Sequence, residues 1–292
     1  MSGAEQMTVY DASERDRISL GAWRHMVGEL WGYRELVRRL VFRNFAAQFR
    51  QSFLGYFWVA FPPMAATLVF TLLRQAQIVN VPMEGHTMPY ALFALIGTTL
   101  WGFFAQVTLM ATTSISNAGV LVSKIYFPRE VLVLSAVGNS VINLVIRLGV
   151  VGLTCLLMLY PPHWQVVFAP FFLLPVAALA LGLGLFFAPL NTMMQDMSRL
   201  LEFAFEFGMF LAPTVIATPR LTETSTAWQQ ALYWVHTLNP VSHFMAAVHG
   251  LVETGTVAVG PGLLISTVLS FLVLAMGWRF FHICEPLLAE RL

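Results

Sequence analysis

Apolar residues along this chain gather in long runs rather than alternating with polar ones, and several runs approach the roughly 20 residues a helix needs to cross the hydrocarbon of a bilayer. Six stretches qualify: Tyr56 to Leu73, Tyr90 to Ser114, Val131 to Tyr160, Val166 to Leu190, Leu201 to Ala217, and Gly262 to Phe281. The third is long and the fifth short. The pattern predicts an all-α membrane protein of six transmembrane helices, spanning residues 55–292, behind a polar tail over residues 1–18.

Between tail and first span, residues 19–54 follow a different rhythm. Trp23, Val27, Leu30, Val37, Leu40 and Val41 recur at helical spacings with arginines between them. Such a stretch predicts an amphipathic helix with a basic face lying along the anionic inner leaflet, as a membrane anchor or as a docking surface for a cytoplasmic partner. The first span then carries Pro62 and Pro63, which a soluble core helix would not tolerate well. In a bilayer, neighbouring groups can satisfy the freed carbonyls. The two prolines are expected to bend this span where the surface helix turns into the membrane.

Composition agrees with the pattern. Of 292 residues, 58% are hydrophobic and 11% charged, against about 25% charged in a soluble domain. The mean hydropathy is +0.71. A net charge of +1 gives no reason to expect a nucleic-acid partner. Cys155 and Cys284 have no ligand-like spacing and read as isolated thiols. The first twenty residues lack the apolar core of a cleavable signal, so insertion is expected to be driven by the first span.

Arginine placement sets the expected orientation, because cytoplasmic segments keep the excess of positive charge. Arg15, Arg17, Arg24, Arg34, Arg38, Arg39, Arg43 and Arg50 precede the first span. Lys124, Arg129, Arg199, Arg279 and Arg291 fall on the same side, and only Arg74 and Arg220 on the other. Both termini are expected in the cytoplasm.

Four segments resemble the membrane subunits of type-2 ABC polysaccharide exporters. "YRELVRRLVFRNFAAQFRQSFLGYFWVAFPPMAATLVFTLL" (33–73) resembles the family's YREL, basic helix, QS.LGY.W and proline. "SKIYFPREVLVLSAV" (123–137) is similar to its K.YFPRE..PLS signature, "NTMMQDMSRLLEFAFEFGMFLAPTV" (191–215) to N...RD followed by a span and SPV, and "LNPVSHFMAAVHGLV" (238–252) to its NP-led helix. They occur in the family's order. Gln195 stands where the family has an arginine and Ala212 where it has a serine. The resemblance implies a bacterial inner-membrane permease that moves a lipid-linked polysaccharide of the O-antigen or capsule type, as a homodimer with two copies of a separate ABC ATPase subunit. Alternatives are an ABC permease for a small lipid or drug, and an intramembrane sugar-lipid transferase.

The chain has no P-loop of its own, since its only lysine, Lys124, follows Ser123 rather than glycine. No catalytic site and no resident cofactor are expected, with ATP and Mg held by the partner ATPase. The surface that partner would push on is sought in residues 115–130. There Val120, Leu121, Ile125 and Tyr126 form a short apolar face ended by Pro128. By resemblance, Val120, Leu121, Lys124, Ile125, Tyr126, Phe127, Pro128, Arg129 and Glu130 form the coupling helix; an ordinary interfacial loop is the plainer reading.

Within the third span, Ser135, Asn139, Asn143 and Arg147 recur every four residues and share a helix face. A buried arginine costs about 2.5–3.5 kcal/mol on insertion scales, so this strip is expected to face a translocation path, a dimer seam, or interhelical partners. Tyr56, Trp58 and Phe61 could stack on sugar rings along the same path or anchor the interface. Asp196, Arg199, Glu202 and Glu206, at the start of the fifth span, are candidates for a cytoplasmic gate or for helix-end electrostatics. Residues 218–261 are too polar to cross and predict two short re-entrant or interfacial helices, with Trp228, Tyr233, Trp234, Asn239 and Pro240 as outer-gate candidates. His236, His243 and His249 lack the spacing that stacks two imidazoles on one helix face, so no metal site is expected.

Overall fold

The computed structural model describes residues 28, 30–48, 50, 52–79, 83, 86–118, 128–194, 196–222 and 225–291, with side chains as far as residue 285. Every regular element in it is helical: α1 (Arg34–Gln48), α2 (Phe57–Gln75), α3 (Tyr90–Ala118), α4 (Glu130–Leu157), α5 (Ala169–Met193), α6 (Asp196–Gly208), α7 (Ala227–Leu238), α8 (Pro240–Glu253) and α9 (Pro261–Arg291). Single 3-10 segments precede α5 (Trp164–Phe168) and follow α6 (Met209–Leu211).

Five helical stretches are long and apolar enough to span a membrane: Phe57–Gln75, Tyr90–Ala118, Glu130–Leu157, Trp164–Met193 and Pro261–Glu285. Their boundaries fall close to five of the six expected. The central one is α3, most of whose residues are buried by its neighbours. Its Phe93, Leu100, Phe103, Phe104 and Val107 form the middle of the core with residues from α5 and α8.

Helices α5 and α9 make the most extensive pairing. It depends on glycine, because a methyl on Gly182 would lie 2.6 Å from the Leu274 Cα, and one on Gly277 would overlap the Gly182 carbonyl. In a bilayer, where apolar burial between helices contributes little, such small residues allow the backbone approach that holds helices together.

The stretch expected as a fifth span, Leu201 to Ala217, is not one helix. Helix α6 ends at Gly208, the 3-10 segment ends at Leu211, and the chain then turns through Ala212 to Ile216. Proline at position 213 has no N–H to extend a helix. The Thr214 side chain donates to the Met209 carbonyl, and a Cβ on Gly97 of α3 would collide with the Thr214 backbone. Irregular backbone of this kind survives at membrane depth only where protein covers it, and Ala212, Thr214 and Val215 are fully buried. The segment nevertheless follows α3 from end to end. Just before it, Asn191 at the end of α5 bonds Ser116, midway the Trp101 indole donates to the Phe205 carbonyl at 2.8 Å, and at its end the Tyr90 hydroxyl donates to the Val215 carbonyl at 3.0 Å.

Candidate functional site: a polar cavity and two anchored ends

Ser135, Asn139, Asn143 and Arg147 do share one face of α4, and that face turns toward the protein. The four side chains meet different neighbours. Arg147 reaches α2, where its Nε donates to the Val59 carbonyl at 3.1 Å. That carbonyl is the one whose helical donor would be residue 63, and residue 63 is proline. The guanidinium thus takes over a bond that the proline cannot make. Space for it comes from Gly102 of α3, where a Cβ would sit 2.8 Å from the Arg147 Nη1. Helix α2 runs unbroken through Pro62 and Pro63.

At the opposite end of the strip, Ser135 and Asn139 line a cavity of about 460 Å³ between α1, α3 and α4. Arg43 lines it from α1, and Gln106, Thr113 and Asn117 line it from α3. The Gln106 Oε1 and Asn139 Oδ1 are buried and lack hydrogen-bond partners among the described residues, as does Asn143 Oδ1 deeper in. Arg43 donates to the neutral Asn44 side chain at 3.2 and 3.4 Å and pairs with no carboxylate among the described residues. Sequence reasoning did not single out Arg43, Gln106, Thr113 or Asn117. A signal was present, since 106, 113 and 117 lie seven and four residues apart and so fall on one face of the helix.

Of the expected coupling residues, Val120, Leu121, Lys124, Ile125, Tyr126 and Phe127 lie outside the described residues; Pro128, Arg129 and Glu130 lie within them. These last three form the root of α4, and the end of α9 holds them. Arg129 donates from its backbone N to the Glu285 carboxylate at 3.3 Å and from its Nη1 to the Glu285 carbonyl at 3.0 Å. The His282 Nδ1 lies 3.3 Å from the Glu130 Oε1. Glu130, His282 and Glu285 bring two carboxylates and an imidazole within 4.8 Å of one another, the donor types a divalent cation accepts. The same atoms already serve the ion-pair network.

Asp196 and Arg199 face each other at 3.6 Å with both side chains almost fully exposed, an arrangement worth about 0–1 kcal/mol. Glu202 and Glu206 are likewise on the surface of the chain. The start of α6 is fixed instead by Asn191, whose Oδ1 accepts from the Ser198 N–H while its Nδ2 donates to Ser116. Tyr56, Trp58 and Phe61 all project from the chain, Trp58 being 52% exposed, and the Trp58 and Phe61 rings meet at 5.6 Å.

The other end of the bundle is a capped corner. Thr226 and Gln229 form a reciprocal capping box on α7. The Asn239 Oδ1 caps α8 by accepting from the Val241 N–H, its Nδ2 donates to the Leu211 carbonyl, and Pro240 takes the first position of the helix. Trp228 and Trp234 stay exposed, and Tyr233 packs edge-on to Trp234.

The histidines are each engaged separately: His236 with Thr218, His243 with the Thr237 carbonyl, and His249 with the Phe93 carbonyl at 3.2 Å. Burial drives the His249 imidazole down to about 4, with the neighbouring His86 adding to the effect. His236 is likewise lowered to about 4 by burial. Glu253 at the end of α8 binds His86 at 2.8 Å and the Thr87 N–H, pinning residues 86–88 to this corner. Burial alone would raise the Glu253 carboxyl, but its bonds to His86 and Thr87 outweigh that and hold it below the usual range.

A family model described as ABC-2 type transporter matches residues 35–252. Three curated proteins named O-antigen export system permease protein RfbA are similar to the chain. One from Myxococcus xanthus is 26% identical over 226 residues, covering 77% of this chain and 83% of that protein. Two from Klebsiella pneumoniae are 21% and 20% identical over 216 and 220 residues, each covering 73% of this chain and 78% of the relative.

Proposed function

The chain belongs to the ABC-2 type transporter family, and from that membership we propose that it is the membrane subunit of an ATP-driven exporter for a lipid-linked polysaccharide of the O-antigen or capsule type. The observation that carries this reading is the alignment with three O-antigen export permeases over about three quarters of the chain. The apolar helices supply the membrane-spanning body such a subunit requires.

In this reading the protein sits in a bacterial inner membrane and works as a homodimer, since one bundle is too narrow for a polymer. Two copies of an ABC ATPase bring ATP and Mg and press on residues 115–130. Through Arg129, Glu130, His282 and Glu285 that pressure reaches α9. Residues 196–217 serve as the sixth crossing, a reading supported by the Trp101–Phe205 and Tyr90–Val215 bonds to α3, and with six crossings both termini lie in the cytoplasm. Residues 218–261 then lie at the outer face as re-entrant helices. The projecting Tyr56, Trp58 and Phe61 face the second copy and the path between the two.

Deletion of the gene, with mass spectrometry of surface and intracellular polymer, tests the proposal. Loss of one surface polysaccharide and its build-up on a lipid carrier inside the cell is the expected result. Intact surface polymer together with a lost efflux of a small lipid or drug would refute it. So would turnover of lipid-linked sugar by the purified chain with no ATPase present.

A further inference from the structure

We propose that the cavity between α1, α3 and α4 binds the phosphorylated sugar head of the lipid-linked substrate on its way into the transporter. This rests on the polysaccharide-export reading given above. The cavity runs along α3 from Asn117 to Gln106, about 16 Å at 1.5 Å per residue, so it carries polar side chains well into the depth of a spanning helix. Polar groups there are costly unless they meet one another, water or cargo. Two of its amides, Gln106 and Asn139, keep buried oxygens without partners among the described residues. Its volume, about 460 Å³, falls within the roughly 300–1,000 Å³ typical of small-ligand pockets.

The lining specifies the chemistry. Arg43 offers a guanidinium with no carboxylate partner among the described residues, suited to phosphate oxygens. The amides of Gln106, Asn117 and Asn139 both donate and accept, as sugar hydroxyls require, and the hydroxyls of Thr113 and Ser135, which donate to the Leu109 and Leu132 carbonyls, can still accept. One charge among many neutral polar groups fits a sugar joined to phosphate better than a bare polyphosphate. Helix α1, which carries the arginine, has the basic face of a membrane-surface helix, where a lipid head would arrive.

The test uses the complete transporter with its ATPase in nanodiscs. Binding is measured for a short polyprenyl diphosphate N-acetylglucosamine, with polyprenyl phosphate and soluble UDP-N-acetylglucosamine as separate arms. Arg43→Gln is expected to weaken binding of the lipid-linked sugar about tenfold, the loss of one charged hydrogen bond, and Asn139→Leu to act in the same direction. Polyprenyl phosphate should bind more weakly than the sugar-bearing probe. A benzophenone side chain at position 113 or 117 should crosslink to that probe, which gives a readout even if a variant folds poorly.

Wild-type binding with unchanged affinity in both variants, or crosslinks only to residues 119–127 or to the second copy, would overturn the cavity assignment and leave the exporter reading standing. Binding of the soluble sugar nucleotide as tight as that of the lipid-linked probe would also overturn it, because the head would then not need its lipid. A wild-type transporter that neither binds nor moves any lipid-linked sugar would overturn both.

Discussion

Replacing Arg147 by methionine removes the donor that serves the Val59 carbonyl while keeping much of the side-chain volume. A hydrogen bond to a charged group contributes about 1.5–3 kcal/mol, and an orphaned buried carbonyl costs about 1–3 kcal/mol. These describe the same loss from two sides and are not summed. The burden of placing arginine in the membrane largely cancels, because the unfolded reference state in a membrane holds that arginine too. A net destabilisation of about 1–3 kcal/mol is therefore expected.

The decisive measurement is a double-mutant cycle with Pro63→Ala. Alanine restores an N–H one turn beyond Val59, so the carbonyl regains a donor and Arg147 becomes dispensable. Unfolding in mixed micelles by added dodecyl sulfate should show a smaller effect of Arg147→Met in the alanine background, with a coupling of about 1–2 kcal/mol. Additivity within about 0.5 kcal/mol would show that the two positions are independent and that the guanidinium is held for another reason.

Gly182→Ala should destabilise the protein by about 1–3 kcal/mol through forced separation of α5 and α9, whereas Gly149→Ala, with nothing within 4 Å, should be neutral or slightly stabilising; equal effects would refute the packing account. Because the folded His249 titrates near 4 and the unfolded residue near 6.5, folding excludes a proton in that window, and stability should fall as pH drops from about 6.5 to 4. His249→Phe should flatten that fall in denaturation series at several pH values, leaving the contribution of His236, and an unchanged slope would sink the assignment. The depressed Glu253 adds stability that is present above the ordinary carboxylate range and disappears only on further acidification; Glu253→Gln should remove that later step. Glu285→Ala should leave the ATPase bound but lower polymer exported per ATP severalfold, and an undiminished ratio would show that the Arg129 contact carries no motion.

Five spans were legible because length and apolarity decide them locally, with little reference to the rest of the molecule. Residues 201–217 were harder to read: their apolar average hides the charged face of α6 and the proline at 213, and their turn depends on Gly97 in another helix. The strip on α4 was legible as a strip, since a four-residue repeat puts its members on one face. What each member does was not, because that depends on which helix packs opposite. Arg147 meets a carbonyl released by a proline 84 positions earlier in the chain, and Asn139 meets an open cavity. Arg43 looked like one of several surface arginines until α1 was placed against α4. Asn239 and Pro240, candidates for an outer gate, cap α8, which their N-cap and first-turn preferences already allow.

Helix α9 begins beside His243 of α8, where Gly262 leaves room for the ring, and its Glu285, six residues before the helix ends, meets Arg129 at the root of α4. Over its 31 residues it is about 46 Å long at 1.5 Å per residue. Fastened to α5 at a glycine crossing near its middle, it has the layout of a seesaw on a fulcrum. Tilting such a rod by about 5° moves Gly262 by about 2 Å and Glu285 by about 1 Å in opposite senses, enough to matter against packed side chains, so a tug at one contact is felt at the other with no signal passing through the cargo's route.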